Sequence, residues 1–241
     1  RQETCDDSEG SRLMRCVILQ PSYIPWRGYF DLIHRADVFV FYDDVQYDKG
    51  GWRNRNRIKT PKGTKWLTIP VRKSGVVSGR IPINAMTVAG DTWAREHMEA
   101  LRRSYADAPY FDPQWMRSLY AGSSQLLADF TIATTIELAA RLGIRDTLFL
   151  RSSTLGAAGR KTDRLIEVLR EIGATHYLSG PSAIDYVELH KFAEAGIALE
   201  WMTYDYPEYT QLYPPFDPFV TVLDLLFMTG SEAPRYIWGD R

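Results

Sequence analysis

Ile18-Leu-Gln-Pro-Ser-Tyr-Ile-Pro-Trp-Arg-Gly-Tyr-Phe-Asp-Leu-Ile33 is the segment that decides the fold, and the apolar run Val38-Phe-Val-Phe-Tyr42 follows it. The apolar runs 16–19 and 38–42 flank a segment of helix length, which predicts a strand, a helix and a second strand. Polar and aromatic residues follow each run. Because residues beyond the carboxyl ends of parallel strands line the ligand crevice, we expect both groups to face one cleft.

The second half of the chain repeats this alternation of strand and helix. Strands are predicted at 147–150, 175–178 and 198–202, with helices at 161–172 and near 186–194. Glycine follows three predicted helices, at Gly143, Gly173 and Gly196, where a helix commonly ends. This alternation is typical of parallel β-α units. The sequence therefore predicts an α/β fold with a mostly parallel sheet and flanking helices.

The middle of the chain is predicted to be helical. Helices are expected from Asp91 or Thr92 to Tyr105, at 111–120 and at 123–142, which gives a helical insertion at about 91–142. Before it, the pattern predicts a strand at 65–71, a loop at 74–79 and a further strand at 81–88. A last apolar helix is expected at 221–228. We interpret 1–13 as a disordered tail and 14–241 as a single domain.

Composition excludes several classes of protein. Of 241 residues, 45% are hydrophobic and 24% are charged, and the formal net charge is −1. This balance is typical of a soluble globular protein and gives no overall attraction to nucleic acid or membranes. No apolar run reaches the roughly 18 residues that cross a bilayer. The two cysteines do not suggest a disulfide framework, so we expect a cytoplasmic protein.

Familiar catalytic motifs are missing from the sequence. There is no G-x-G-x-x-G, no Walker loop and no G-x-S-x-G elbow. The four histidines are scattered without the spacing of metal ligands, so no metal site is predicted. The sequence assigns no cofactor.

Asp43 and Asp44 directly follow the second apolar run. Carboxylates at a strand end can bind a substrate amine, sugar hydroxyls or a cation, or act as a general base. The structural alternative is that one of them pairs with Arg53, Arg55 or Arg57 and only fixes the loop. Both interpretations stay open at this stage.

Other candidates are polar or aromatic. Asn54, Arg55 and Asn56 offer donors for phosphate or carboxylate groups, or alternatively tie two loops together. His97 is the candidate for proton transfer, although a single histidine on a helix is more often packed and hydrogen-bonded. Aromatic residues could stack on a sugar or base, and about half of them are expected in the core; they include Tyr23, Trp26, Tyr29, Tyr47 and Trp52.

Together these segments resemble the signature of the WbqC-like protein family. The motifs are Gln20-Pro-x-Tyr-x-Pro-Trp-x-Gly-Tyr-Phe30, Asp43-Asp-Val-Gln-Tyr47, Trp52-x-Asn-Arg-Asn-Arg-Ile-Lys59, Tyr177-Leu-Ser-Gly180, Asp185-Tyr186, Tyr209-x-Gln-Leu212 and Phe216 through Asp224-Leu-Leu226. The resemblance runs from Met14 to about Tyr236 and adds Gln20, Gly180 and Gln211 to the candidate substrate-binding residues.

What the resemblance implies is a transferase of polysaccharide or specialised-metabolite biosynthesis. It would move an acyl or aminoacyl group to an amine of a sugar-derived or small metabolite. Its partners would be that small molecule and an activated acyl donor or a carrier protein. Asp43 or Asp44 would bind or deprotonate the amine, His97 would assist, and residues 54–56 would hold an anionic group.

Two alternatives remain. The layout Pro21-x-x-x-Pro25-x-x-Gly28-Tyr29 is similar to the HxGH segment of nucleotidyltransferases, with Trp26 and Tyr29 in place of the histidines. Ser152-Ser-Thr154 is similar to their later Ser/Thr-rich segment. Without imidazoles, the stabilisation of a transferring phosphate is lost. The third possibility is a non-catalytic accessory protein that binds a sugar or a carrier.

Overall fold

The computed structural model describes residues 13–72, 81–122, 124–185 and 187–239. Apart from Leu13, the expected tail lies outside the described residues. The loop predicted at 74–79 and the residue Tyr186, which was predicted to begin a helix, lie outside them as well.

The elements follow one another in the alternating order that the sequence predicts. The first part contains β1 (Arg15–Leu19), α1 (Arg27–His34), β2 (Val38–Phe41), β3 (Arg55–Thr60) and β4 (Gly63–Thr68). The middle contains α2 (Trp93–Tyr105), α3 (Pro113–Ala121) and α4 (Leu127–Arg141). The last part contains β5 (Leu148–Arg151), α5 (Lys161–Glu171), β6 (His176–Ser179), α6 (Leu189–Glu194), β7 (Ala198–Trp201) and α7 (Val222–Thr229).

Five strands form one parallel sheet in the order β5-β2-β1-β6-β7. Val17 of β1 pairs with Phe39 of β2, and Phe39 pairs in turn with Phe149 of β5. On its other side β1 pairs with β6, which comes after β5 in the chain. The direction of the strand order therefore reverses at β1, which makes the gap between β1 and β6 the topological switch point. The predicted α/β fold with a mostly parallel sheet is confirmed.

The sheet is buried on both faces because alternate residues of its central strands enter two different cores. Val17 and Phe39 pack in a core that includes Leu32 of α1, Leu138 of α4 and Leu223 of α7. The neighbouring residues Cys16, Ile18, Val38 and Val40 pack instead with residues of α5 and α6. Strands covered on both faces are expected to be apolar throughout, which explains why they were visible in the sequence.

Two strand predictions need correction. The segment 81–88 is not a strand: Ile83–Ala85 forms a 3-10 turn, and Pro82, Thr87 and Val88 form isolated bridges with Gln46, Leu126 and Val71. Pro82 supplies no N–H for a ladder, so a regular strand is disfavoured there. The strand predicted at 65–71 begins earlier, at Gly63, and pairs antiparallel with β3. The basic segment thus forms a strand of this hairpin.

Glycines end the helices as predicted. Gly143, Gly173 and Gly196 follow α4, α5 and α6 with φ of 83°, 70° and 68°. These angles lie in the left-handed region, which costs glycine little and other residues more. The predicted helix ends in the second half of the chain are therefore accurate to about one residue.

Candidate functional site

A crevice opens at the carboxyl edge of the parallel sheet, beside the switch point between β1 and β6. Its volume is about 420 Å³. Gln20 and Ser22 come from the segment after β1, Tyr42 follows β2, Ser182 follows β6, and Lys161 begins α5. In an open parallel sheet this edge is where ligands bind. The crevice is therefore the first candidate site.

The crevice carries positive charge. Arg53 and Lys161 are among its lining residues, and none of the described residues that line it is acidic. Nη1 of Arg53 donates to the carbonyl oxygen of Gln20 at 3.2 Å and to Oγ of Ser22 at 2.8 Å, while Nε donates to Asp48 at 3.0 Å. Within the described part of the chain, Lys161 forms no ion pair. These charges favour an anionic ligand.

Lys161 has an unusual backbone conformation at the edge of the crevice. Its φ is 51°, which lies in the left-handed region, and it is the first residue of α5. Such a conformation costs a residue other than glycine on the order of 1 kcal/mol and tends to occur at functional sites. It brings the first turn of α5 to the crevice, where Leu165 also lines the wall.

One wall of the crevice is aromatic. The rings of Trp26 and Tyr204 meet edge to face at 4.9 Å between centroids. A methyl group at position 28 would lie 2.3 Å from Cζ2 of the indole, so Gly28 allows Trp26 to lie against the start of α1. Burial raises the pKa of Tyr204 to about 12, so its hydroxyl stays protonated at neutral pH and can donate. Its oxygen lies close to Gly180, where a methyl group would be 3.0 Å away.

Asp43 lies behind the crevice and is fully buried. Its carboxylate accepts hydrogen bonds from the backbone N and Oγ of Ser153 at 3.0 and 2.8 Å, and its backbone N donates to Oγ of Ser152 at 3.1 Å. Since Asp43 follows β2 and the serines follow β5, these bonds tie two strand ends together. Asp43 does not line the crevice.

Asp44 does not itself line the crevice, although Tyr42 and Val45 on either side of it do. The carboxylate of Asp44 accepts a hydrogen bond from Ser152 at 2.6 Å and pairs with Arg164 of α5. The guanidinium of Arg164 lies 5.7 Å from the ring centroid of Tyr42, which lines the crevice. We expected that one of the two aspartates could pair with Arg53, Arg55 or Arg57. This partner is wrong, because Asp44 pairs with Arg164.

His97 lies away from the crevice in a buried cluster of α2 and α3. Its Nδ1 is 2.8 Å from the hydroxyl of Tyr23, which is also hydrogen-bonded to the hydroxyl of Tyr120. Burial is the main reason why the pKa of His97 is lowered to about 4, although a hydrogen bond to the main chain of Thr68 opposes the shift. His97 is therefore neutral at pH 7, and Tyr23 belongs to the core.

Asn54 and Asn56 of the hairpin do not line the crevice and bind backbone carbonyls instead. Nδ2 of Asn54 donates to the carbonyl of Ile69 at 2.8 Å. Nδ2 of Asn56 donates to the carbonyls of Tyr23 and Ile24 at 3.1 and 2.8 Å. Both amides thus bind backbone carbonyls, a role that the alternative for this segment had given to its arginine.

Arg55 points to a different hollow. Its guanidinium lies 4.4 Å from the ring centroid of Trp66. With Tyr47 and Asn54 it lines a separate hollow of about 740 Å³. Gln211 is also engaged elsewhere, with Tyr209 at 3.2 Å and the carbonyl of Asp217 at 3.0 Å.

The structure therefore brings together only part of the predicted site. Gln20, Trp26 and Tyr29 line the crevice, with Asp44, Trp52 and Gly180 close to it. Sequence reasoning missed residues that come from distant parts of the chain: Ser22, Arg53, Lys161, Ser182 and Tyr204. Position at a helix start could have indicated Lys161, and the aromatic loop after β7 could have indicated Tyr204. For Ser182 there was no signal.

Within the described ranges, His, Cys, Asp and Glu side chains do not gather in any group of three that could hold a metal ion. No helix there combines the length and the apolar composition required to cross a bilayer. Cys16 is buried, and burial raises the pKa of its thiol, so it stays protonated.

A sequence model of the WbqC-like protein family matches residues 20–236, which include every motif named above for the resemblance. The chain belongs to the WbqC-like protein family. A relative in Mycobacterium tuberculosis (strain ATCC 25618 / H37Rv), named "Uncharacterized protein Rv1507c", is 40% identical over 229 residues, covering 93% of this chain and 98% of its own. No solved structure gives a significant match to this WbqC-like protein.

Proposed function

We propose that this WbqC-like protein is a transferase that joins an activated acyl or aminoacyl group to an amine of a sugar-derived or small metabolite, in polysaccharide or specialised-metabolite biosynthesis. One observation carries the proposal: the crevice at the switch point combines Arg53 and Lys161 with an aromatic wall, and none of its lining residues in the described part of the chain is acidic. Activated acyl donors carry phosphate or carboxylate groups, which guanidinium and ammonium groups bind well. A carrier protein could equally present the donor at this edge.

The acceptor amine is assigned to the border of the crevice at Asp44. In acyl transfer the amine nitrogen forms a bond to the acyl carbon, the bond from that carbon to the donor breaks, and the nitrogen loses a proton to a base. Asp44 is the candidate base because about a fifth of its side chain is exposed and because Arg164 can hold the carboxylate in place. The buried and fully bonded Asp43 and the distant His97 are less suited to this role.

The test is product formation. The purified protein is incubated with an acyl donor, either acetyl-coenzyme A or an amino acid with ATP and Mg²⁺, together with glucosamine or another amino sugar, and mass spectrometry follows N-acylation. We expect Arg53→Gln and Asp44→Asn to lower turnover at least about tenfold, since each removes one charged contact. Arg55→Gln is the matched control, because Arg55 lines the other hollow, and it should retain activity. Equal losses in Arg53→Gln and Arg55→Gln would place the chemistry outside the crevice.

A nucleotidyltransferase is the second candidate, and the strand order favours it. Order β5-β2-β1-β6-β7 corresponds to the 3-2-1-4-5 order of classic nucleotide-binding sheets. Two observations argue against it. Trp26 lies against the start of α1, where a histidine would be needed, and the hydroxyls of Ser152 and Ser153 already donate to Asp44 and Asp43. This candidate requires a rise in Tm with Mg²⁺ and ATP alone. An accessory binding protein would instead be stabilised by its ligand and form no product with any donor.

A further inference from the structure

A second, smaller hollow adjoins the crevice, and we name it the aromatic pocket. Its volume is about 240 Å³. Ser22, Trp26 and Tyr29 line both hollows, so the two share one wall. The remaining lining residues of the aromatic pocket are Pro25, Trp52, Asn56 and Phe219. A ligand in the crevice can therefore extend directly into the aromatic pocket.

The hydroxyl and amide groups of Ser22, Tyr29 and Asn56 in the aromatic pocket are already hydrogen-bonded. Oγ of Ser22 accepts from Arg53 at 2.8 Å, and the hydroxyl of Tyr29 donates to the carbonyl of Gln20 at 3.1 Å. Both N–H bonds of the Asn56 amide are used by backbone carbonyls, and its Oδ1 accepts from the backbone N of Arg57 at 2.7 Å. What remains for a ligand is mostly the faces and edges of aromatic rings. The pocket therefore favours an apolar group.

The volume of the aromatic pocket suits a single aromatic ring of a ligand. A dry cavity of roughly 150 Å³ is known to hold benzene, and the aromatic pocket, at about 240 Å³, has room for one ring and a short linker. A long acyl chain would extend beyond that volume into the crevice. The rings of Trp26 and Phe219 are tilted by 50° at 5.6 Å between centroids, which leaves ring edges and faces available to a third ring.

Two large aromatic side chains at this pocket are exposed. Phe219 is 52% exposed and Trp52 is 42% exposed. A single exposed apolar residue needs no explanation, but a concentration of aromatic surface beside a cavity marks a binding site. A ligand ring held there would cover this surface.

We propose that the aromatic pocket is the subsite for one aromatic ring of the acyl or aminoacyl donor, whose anionic group lies against Arg53 in the crevice; this group is the carboxylate of the free acid or the phosphate of the activated donor. The short distance between Ser22 and Arg53 places the two subsites next to each other. A ligand that joins a carboxylate to a ring through a short linker matches this arrangement. The assignment to the acyl group depends on the proposed transferase function, whereas the binding of the ring does not.

The test uses three probes. They are 3-phenylpropionate, which has both a ring and a carboxylate, propionate, which lacks the ring, and 3-phenylpropanol, which lacks the charge; titration calorimetry and saturation-transfer NMR measure their Kd. We expect 3-phenylpropionate to bind about tenfold more tightly than either of the other two, because it fills both subsites. Propionate binding as tightly as 3-phenylpropionate, or no binding of any probe, would overturn the proposal.

Matched variants locate the ring. Trp52→Ala and Phe219→Ala should each weaken 3-phenylpropionate about tenfold. Trp66→Ala is the control, because Trp66 has the same 42% exposure as Trp52 and lies 5.3 Å from it between ring centroids, yet lines neither hollow. It should leave Kd within about twofold. Circular dichroism and Tm verify that each variant is folded, and a loss in Trp66→Ala equal to that in Trp52→Ala would contradict the assignment.

The results also separate this proposal from the proposed function. If 3-phenylpropionate binds in a manner dependent on Trp52 but no donor yields product, the aromatic pocket is supported and the transferase is not. If acetyl transfer occurs and depends on Arg53 while the ring adds nothing to binding, the transferase is supported and the ring subsite is wrong.

Discussion

The hydroxyl oxygen of Tyr23 lies 2.8 Å from Nδ1 of His97, and both side chains are buried. Because Nδ1 can accept the hydroxyl proton only when it is unprotonated, this contact fits a neutral imidazole. The lowered pKa of His97, about 4, agrees with that state. The histidine that the sequence offered for proton transfer is thus part of a packed hydrogen-bonded cluster.

A pH dependence of stability follows from His97. Its pKa is near 6.5 in the unfolded chain and about 4 in the folded protein, so between these values the unfolded chain binds the extra proton. The free energy of unfolding should therefore rise with pH through this window and fall on acidification, by about 2 kcal/mol from pH 7 to pH 5. Urea denaturation at both pH values measures it.

The control for this prediction is a second histidine. His97→Gln should remove the dependence between pH 7 and pH 5, whereas the exposed His190 replaced by Gln should preserve it. An unchanged dependence in His97→Gln would mean that another group is responsible.

Asp43 is predicted to be a stabilising residue. Asp43→Ala removes the acceptor for the backbone N and the hydroxyl of Ser153, and should lower the free energy of unfolding by on the order of 3 kcal/mol. Asp163→Ala is the comparison, since that carboxylate is 60% exposed and forms a surface ion pair with Lys191; its effect should be much smaller. Similar denaturation midpoints in urea for the two variants would contradict a stabilising role of Asp43.

A glycine is predicted to be required at position 28 because the indole of Trp26 occupies the space of a side chain there. Gly28→Ala would place a methyl group inside the indole of Trp26, and the repacking should cost about 1 to 3 kcal/mol in unfolding free energy. Gly122→Ala is the matched control, because no atom lies within 4 Å of the added methyl position and φ is −83°. That change should be close to neutral. If calorimetric Tm values of the two variants agree, the indole can move freely.

Asp224 lies in a buried hydrogen-bond network formed by part of the family signature. The hydroxyls of Tyr105 and Tyr209 each donate to it at 2.8 Å, and burial raises its pKa. Tyr209→Phe leaves one carboxylate oxygen without this donor and should lower the free energy of unfolding by about 2 kcal/mol. Tyr213→Phe, at a more exposed hydroxyl that donates to the carbonyl of Ser104, should cost less. A reversed order of the two would show that the network contributes little.

The sequence predicted the centre of the sheet because β1 and β2 are apolar on both faces and therefore stand out as short continuous runs, whereas β6, His-Tyr-Leu-Ser, was predicted from the alternation of strands and helices. It predicted part of the crevice because Gln20, Trp26 and Tyr29 directly follow β1. It could not distinguish Asp43 from Asp44, since one residue of register decides which carboxylate turns inward. Nor could it predict the wall formed by α5 and the loop after β7, because those contacts depend on how distant elements pack.

The different positions of Arg53 and Arg55 also depend on how distant elements pack, so the sequence could not predict them. Arg55 begins β3 and points toward Trp66 on the partner strand, whereas Arg53 precedes the strand and folds back to Gln20 and Ser22. Nothing in the local sequence distinguishes the two arginines. The side of the hairpin on which each one lies is fixed only when β3 pairs with β4.

The backbone N of Tyr23 donates to the carbonyl of Trp52 at 3.0 Å, and the amide of Asn56 holds the carbonyls of Tyr23 and Ile24. These hydrogen bonds connect the loop after β1 to the start of the hairpin, so the two segments are expected to move together. An occupant that pushes Trp52 aside must shift that loop too, so the two neighbouring hollows are expected to respond to each other's filling rather than to act independently.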